Sequence, residues 1–176
     1  MRAVAGSPAL TRTLFAVYLL LLVGVVMFKL PFYAGMSGGT RVVNLVPFAG
    51  SVDAAGHLVS SEPLYNVLIF VPLGIYASML SESAVATRLL LIVGSTVTLE
   101  TAQYVLAVGV ADVTDVITNT AGGIIGLGLH AVVRTLFRRQ TVRAVNTIAL
   151  VLSVLVVLRF AQLLVTSYAF MGLPPR

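Results

Sequence analysis

The sequence predicts an all-α, polytopic bundle of membrane-spanning helices that forms one domain over residues 1–176. Of the 176 residues, 59% are hydrophobic and only 10% are charged, and the mean hydropathy is +1.04. This composition is far more apolar than that of an average soluble domain. The apolar residues fall into five runs, each close to the ~20 residues that a helix needs to cross a bilayer. We therefore predict about five transmembrane helices.

The five apolar runs lie at residues 13–33, 64–80, 88–108, 114–136 and 145–170. The first does not end in the small-x-small pattern of a signal-peptide cleavage site, so we interpret it as a retained span. Pro72 and Gly74 interrupt the second; a proline kinks a helix, and a bundle tolerates this when neighbours bond the freed carbonyl. The connection over about 35–63 is predicted to be a long external loop without an evident element of its own. Its apolar residues 45–48 either dip into the lipid headgroup region or lie in solvent.

Basic residues gather at the ends of the apolar runs, as topology signals do. If the densest cluster, after the fourth run, lies in the cytoplasm, only Lys29, Arg41 and Arg176 face the opposite side. We therefore predict a multi-pass membrane protein with a cytoplasmic N-terminus. The same clustering argues against binding of nucleic acid despite the net charge of +5. The basic residues on the predicted cytoplasmic side are Arg2, Arg12, Arg88, Arg134, Arg138, Arg139 and Arg143.

Polar and charged side chains recur within the third and fourth runs, although a charge at the bilayer centre costs about 2.5–3.5 kcal/mol. Glu100 and Gln103 are three residues apart and share a face of the third helix. Asp115 and Asn119 share a face of the fourth helix in the same way. With a cytoplasmic N-terminus, these groups fall in the outer half of the membrane. We predict a ligand-binding site there, lined by Glu100, Gln103, Asp112, Asp115, Asn119, Asn66, Asn44 and Arg159.

These candidate residues also have structural interpretations, which the sequence leaves open. Glu100 and Arg159 are predicted at similar depths and could form a buried ion pair. Asp112 and Asp115 fall where the fourth helix begins, and a carboxylate there can accept hydrogen bonds from free amides and suits the helix dipole. The asparagines of the second and fourth helices could instead form hydrogen bonds between helices.

The fourth helix carries a stripe of polar and small residues at spacings of three to four, made up of Asp115, Asn119, Gly122, Gly126 and His130. Gly122 and Gly126 form a small-xxx-small pair, which lets another helix approach closely. We expect this face to point into the bundle. His130 lies near the predicted cytoplasmic end, and we interpret it as a packed or interfacial histidine rather than a ligand.

Motifs of known catalytic sites are missing from the sequence. It contains no HExxH, GxSxG, Walker A or EF-hand pattern and no cysteine. His57 and His130 are predicted on opposite sides of the membrane, so they cannot bind one metal ion together. We predict no metal, no cofactor and no assigned catalytic residue. Glu100 with Asp112 or Asp115 could still serve as a general acid–base pair.

Four motifs follow one another along the sequence. They are Asn44-Leu-Val-Pro47-Phe48, Asn66-x-x-x-Phe70-Val-Pro72-Leu-Gly74, Glu100-x-x-Gln103 and Asp112-x-x-Asp115-x-x-x-Asn119-Thr-x-Gly122. In their order and spacing, the chain resembles the VanZ-like family over about residues 14–130. Many relatives carry an arginine where this chain has Gly109-Val-Ala. Arg41 or Arg159 could replace that arginine.

The resemblance implies a small polytopic protein of the bacterial plasma membrane that lowers sensitivity to teicoplanin, a glycopeptide with a fatty acyl tail. Our leading hypothesis is that the chain binds a membrane lipid or lipoglycopeptide ligand at the outer leaflet. Two alternatives stay open. The chain could be a membrane-embedded enzyme that acts on an envelope lipid or glycan with Glu100 as acid or base, or it could be a structural partner in a membrane complex. The sequence does not specify an oligomeric state.

Overall fold

The predicted all-α class is confirmed by a computed structural model, which describes residues 4–28, 41–52, 56–57 and 60–170. The five apolar runs correspond in order to the five long helices. Short 3-10 turns precede the first helix and separate the last two. The elements are α1 (Pro8–Phe28), β1 (Val42–Asn44), α2 (Glu62–Leu80), α3 (Val85–Leu106), β2 (Val110–Asp112), α4 (Val113–Phe137) and α5 (Thr141–Phe170).

Helices long and apolar enough to cross a membrane make up most of the described chain. There are four such stretches, and the last contains 47 residues, which is more than twice the ~20 that one span requires. It takes in α4, the 3-10 turn and most of α5, so the predicted number of five spans is approximate. Many leucines and valines on these helices are exposed, as expected of surfaces that face lipid. The four stretches are Pro8–Met27, Glu62–Leu80, Val85–Leu106 and Val113–Arg159.

The chain divides into two compact units, Met1–Tyr18 with Phe137–Arg176, and Leu19–Leu136. In the first unit, the carboxamide of Asn146 is fully buried. Its Nδ2 donates to the carbonyl of Ala5 at 2.9 Å, and its Oδ1 accepts from the Thr11 hydroxyl at 3.1 Å. These bonds tie the segment before α1 to α5 by polar contacts. That residues 1–176 form a single domain stays a prediction.

In the second unit, α2 and α4 approach each other backbone to backbone. α2 continues unbroken through Pro72. A Cβ on Gly122 would overlap the carbonyl oxygen of Val67, and one on Gly74 would overlap that of Gly123. The glycine stripe of α4 is therefore packed against α2, which confirms the close approach predicted from the small-xxx-small spacing.

α3 ends in a left-handed residue, and the chain then forms a short strand. Ala107 has φ 54° and ψ 37°, and the amide of Val108 donates to the carbonyl of Gln103 at 3.1 Å, a bond typical of helix C-termini. β2 follows and pairs in parallel with β1, with Asn44 opposite Asp112. The long connection after α1 thus contains a strand that the sequence analysis did not anticipate. Leu45, which follows β1, is 74% exposed.

Candidate functional site

The strand pair brings the first and last of the four motifs into contact. The Nδ2 of Asn44 donates to the Oδ2 of Asp112 at 2.8 Å. The Oδ1 of Asn44 accepts from the amide of Val46 at 3.1 Å and so shapes the turn after β1. A side-chain oxygen that bonds its own chain two residues on is a common device for fixing a turn. Asn44 therefore anchors the loop and touches a carboxylate at the same time.

Asp112 is held from three sides at the start of α4. Its Oδ1 accepts from the amide of Thr114 at 2.7 Å, which confirms the capping role that the sequence left open. Its backbone amide donates to the Oε2 of Glu100 at 2.9 Å. The Glu100 side chain is buried, so this bond links β2 to the inner face of α3.

Thr114 is a site residue that the sequence analysis missed. Its hydroxyl oxygen accepts from the amide of Phe48 at 2.9 Å, and its side chain is buried. Phe48 has φ 59°, a left-handed conformation that is uncommon for a bulky residue. The bond to Thr114 helps to hold that conformation and ties the turn after β1 to α4. The one available signal was the position of Thr114 within the fourth motif, between Asp112 and Asp115.

Two polar pairs join α4 to its neighbours. The Nδ2 of Asn66 on α2 donates to the Oδ1 of Asp115 at 2.7 Å. The Nδ2 of Asn119 donates to the hydroxyl oxygen of Thr96 on α3 at 2.9 Å. Both bonds confirm the interhelical interpretation of the two asparagines. Asp115 and Asn119 are buried, so the polar stripe of α4 does face inward as predicted.

Gln103 presents a buried acceptor in a fixed orientation. Its side chain is 0% exposed, and its Nε2 donates to the carbonyl of Val26 on α1 at 2.9 Å. A backbone carbonyl only accepts, so the amide cannot be turned round without losing this bond. The Oε1 of Gln103 is buried and accepts no hydrogen bond from any residue that the structure describes. A buried acceptor left in this way typically costs about 1–3 kcal/mol.

The site is acidic. Glu100, Asp112 and Asp115 lie in or directly beside the hydrogen-bonded cluster. Of the two proposed replacements for the family arginine, Arg41 belongs to the same compact unit as the site, and its Nη2 donates to the carbonyl of Val105 near the end of α3 at 3.4 Å. Its guanidinium forms no ion pair with a carboxylate in the described segments. Lys29 lies outside the described residues.

Arg159 belongs to the other compact unit. It is exposed on α5, and its Nη1 donates to the Oε1 of Gln162 at 2.9 Å, one turn further along the helix. The ion pair between Arg159 and Glu100 therefore stays a prediction, as does a ligand-binding role for Arg159.

Four side chains of the cluster are buried, and we call them its floor; three are half-buried, and we call them its rim. The floor offers carboxylate and carboxamide oxygens, which suit amide or ammonium donors on a ligand. In the described part of the chain, no three histidine or carboxylate side chains are arranged to hold a metal ion. The floor is formed by Glu100, Gln103, Asp115 and Asn119, and the rim by Asn44, Asn66 and Asp112.

Comparisons with known proteins agree with these motifs. A model of the VanZ/LLP1 family matches residues 15–134. The chain is 36% identical over 124 residues to Protein VanZ from Enterococcus faecium, a match that covers 69% of this chain and 73% of the relative. No solved structure matches the chain. Since the family match spans well over half of the sequence, the chain belongs to the VanZ/LLP1 family.

Proposed function

We propose that this membrane protein binds a lipid-linked or lipoglycopeptide ligand at the outer leaflet and thereby lowers sensitivity to teicoplanin. The observation that supports this proposal most directly is the Oε1 of Gln103, a buried acceptor that receives no hydrogen bond from any described residue while the Nε2 is bonded to Val26. An amide or ammonium group of a ligand would satisfy it. The membership of the VanZ/LLP1 family supports the link to glycopeptides.

The charge of the site supports the same class of ligand. Glu100 and Asp115 are buried carboxylates at a level where the chain could have placed apolar side chains. Ionisable groups within a membrane span are rare and usually functional. A cationic headgroup carries the complementary charge and an amide-rich headgroup supplies hydrogen-bond donors, whereas the carboxylates would repel an anionic headgroup.

An apolar surface beside the polar cluster would suit an acyl chain. The first turns of α2 and the last turns of α3 expose large aliphatic and aromatic side chains next to the rim. A ligand with both a polar headgroup and a fatty tail could lay its tail along this surface while the headgroup enters the cluster. The exposed residues are Leu64, Tyr65, Leu68, Val105 and Leu106.

The test is growth inhibition by teicoplanin in a host that expresses wild type or variants at equal membrane abundance. Glu100→Gln, Asp115→Asn and Asn119→Ala should each reduce protection to the level of an empty vector, because each removes an acceptor or a charge from the floor. Vancomycin, which lacks the acyl tail, should inhibit all strains alike if the tail is recognised.

The matched control is Thr101→Val. Thr101 is next to Glu100, but its side chain is exposed and its hydroxyl donates only to the carbonyl of Val97. This variant should protect as well as wild type. Full protection by the three floor variants would remove the cluster from the mechanism.

The polar bonds within the cluster also favour a second candidate, a structural partner in a membrane complex. Asn66 with Asp115 and Asn119 with Thr96 satisfy each other across helices, as residues that only stabilise a fold would. Under this reading, floor variants should lower the stability or abundance of the protein together with its activity. Floor variants that are as abundant as wild type but no longer protect would favour the ligand-binding site.

The outward position of the site rests on a proposed cytoplasmic N-terminus, which single cysteines can test. The chain has no cysteine, so Ala49→Cys and Gln140→Cys each carry one thiol, and both positions are exposed. A membrane-impermeant maleimide added to intact cells should label residue 49 and leave residue 140 unlabelled until the cells are lysed. The opposite pattern would place the cluster at the inner leaflet.

A further inference from the structure

A second polar site lies at the opposite end of α4, outside the cluster described above. A cavity of about 500 Å³ opens between the last turn of α2, the first turn of α3 and the last turns of α4. This volume lies in the range of small-ligand sites, about 300–1,000 Å³. Its polar lining comes from Ser78, Arg88, His130, Arg134 and Thr135. From Asp115 to His130 the axial separation is about 22 Å, at 1.5 Å per residue.

The lining is basic and lacks compensating charge. Arg88 and Arg134 both face the cavity, and no aspartate or glutamate among the described residues lines it. Neither guanidinium forms a hydrogen bond or ion pair with another described residue. The Nε of Arg88 is buried, so it cannot bond to water at the surface as most arginine donors do. A buried donor without an acceptor costs free energy that an anion in the cavity would recover.

The neutral groups that line the cavity also suit an anion. The hydroxyl of Ser78 makes no hydrogen bond within the described segments and is free to donate. The hydroxyl of Thr135 donates to the carbonyl of Val132 and is already used. The cavity also contains Val85, the first residue of α3, where the free amides and the helix dipole favour a negative charge. Donors thus converge from three helices.

We propose that this cavity binds a phosphate group, carried either by the headgroup of an anionic lipid or by a soluble phosphate. Guanidinium groups bind phosphate oxygens in a planar, bidentate geometry, and two of them with an imidazole and a hydroxyl form a suitable set of donors. The cavity itself carries two basic residues, Arg88 and Arg134. With a cytoplasmic N-terminus it faces the inner leaflet, whose anionic lipids attract such basic segments.

The experiment measures the thermal stability of the purified full-length protein in neutral detergent against two probes, phosphatidylglycerol and inorganic phosphate, with phosphatidylcholine as the lipid control. Wild type should be stabilised by phosphatidylglycerol more than by phosphatidylcholine. In Arg88→Gln and in Arg134→Gln, the concentration of phosphatidylglycerol required for the same stabilisation should be at least tenfold higher. Stabilisation of wild type by inorganic phosphate at comparable concentrations would identify a soluble anion as the source.

The matched control is Arg139→Gln, which removes the same charge from an exposed residue that does not line the cavity. It should respond as wild type does. If Arg88→Gln does not fold, Arg88→Lys keeps the charge but loses the bidentate geometry, and Ser78→Ala removes one donor without changing any charge; both should weaken the response. An equal response in all these variants, or no response of wild type to either probe, would overturn the proposal.

Discussion

Replacement of Gly126 by valine should force α2 away from α4 and leave little folded protein after extraction into detergent. A Cβ on Gly126 would overlap the carbonyl oxygen of Val71 and come within 3.0 Å of the Gly74 Cα and the Ile75 amide nitrogen. These are backbone atoms of a continuous helix, so they cannot move aside as a side chain can. Overpacking in cores typically costs about 1–3 kcal/mol, and we expect this variant to reach the upper end or exceed it. Thermal inactivation followed by size-exclusion chromatography measures the loss.

Gly128→Val is the matched control, two residues further along α4. A Cβ at Gly128 would meet no atom within 4 Å, so valine there should change stability by less than about 1 kcal/mol, the size of a helix-propensity effect. Equal losses from Gly126→Val and Gly128→Val would show that the close approach of α2 to α4 does not govern stability.

The glycine contacts illustrate what the sequence could predict. Long apolar runs identified the helices, because a lipid environment requires about 20 residues of one character per span. The stripe from Asp115 to Gly126 recurs at helical spacing, so its inward direction followed from periodicity alone. The structure buries Asp115, Asn119, Gly122 and Gly126 together, as that periodicity predicted. Residues that repeat with a helical period are therefore well predicted in this chain.

The contacts between loop and helix ends were not predictable in this way. β1 and β2 contain three residues each, too few to show an alternating pattern, and the register that places Asn44 opposite Asp112 joins positions 68 apart in sequence. Gln103 bonds to the carbonyl of Val26, a group that every residue carries and that no sequence pattern marks. The motifs identified which side chains matter, whereas the pairing among them depends on tertiary structure.

Substitutions at Asn44 and Asp112 test the pairing of β1 with β2 directly. Asn44→Asp places a carboxylate where the Nδ2 donor now lies 2.8 Å from the Oδ2 of Asp112. Two like charges 4 Å apart repel by about 4 kcal/mol at an effective dielectric constant of 20, and the lost hydrogen bond adds to this. β1 should therefore separate from β2. Hydrogen–deuterium exchange in nanodiscs should show faster exchange over residues 41–52, with little change in α5.

The double variant Asn44→Asp/Asp112→Asn should restore slow exchange. The new carboxamide at position 112 can donate its NH₂ to the new carboxylate at position 44, while its oxygen still accepts from the amide of Thr114. The hydrogen bond from the backbone amide of residue 112 to Glu100 does not depend on which side chains stand at positions 44 and 112. If the double variant exchanges as fast as Asn44→Asp alone, the strand pairing does not depend on this contact.

In the teicoplanin assay, the same double variant distinguishes two roles of Asp112, which are to hold the loop against α4 and to contact a ligand. It keeps the number of charges and, if exchange is slow, the position of the loop, but it moves one carboxylate from the start of α4 to the end of β1. Restored protection would mean that Asp112 serves to hold the loop against α4. Slow exchange without protection would mean that the carboxylate must stand at position 112, where a ligand in the cluster would meet it beside Glu100. If the protein acts only as a structural partner without a ligand, protection should be the same with the carboxylate at either position once the loop is held in place.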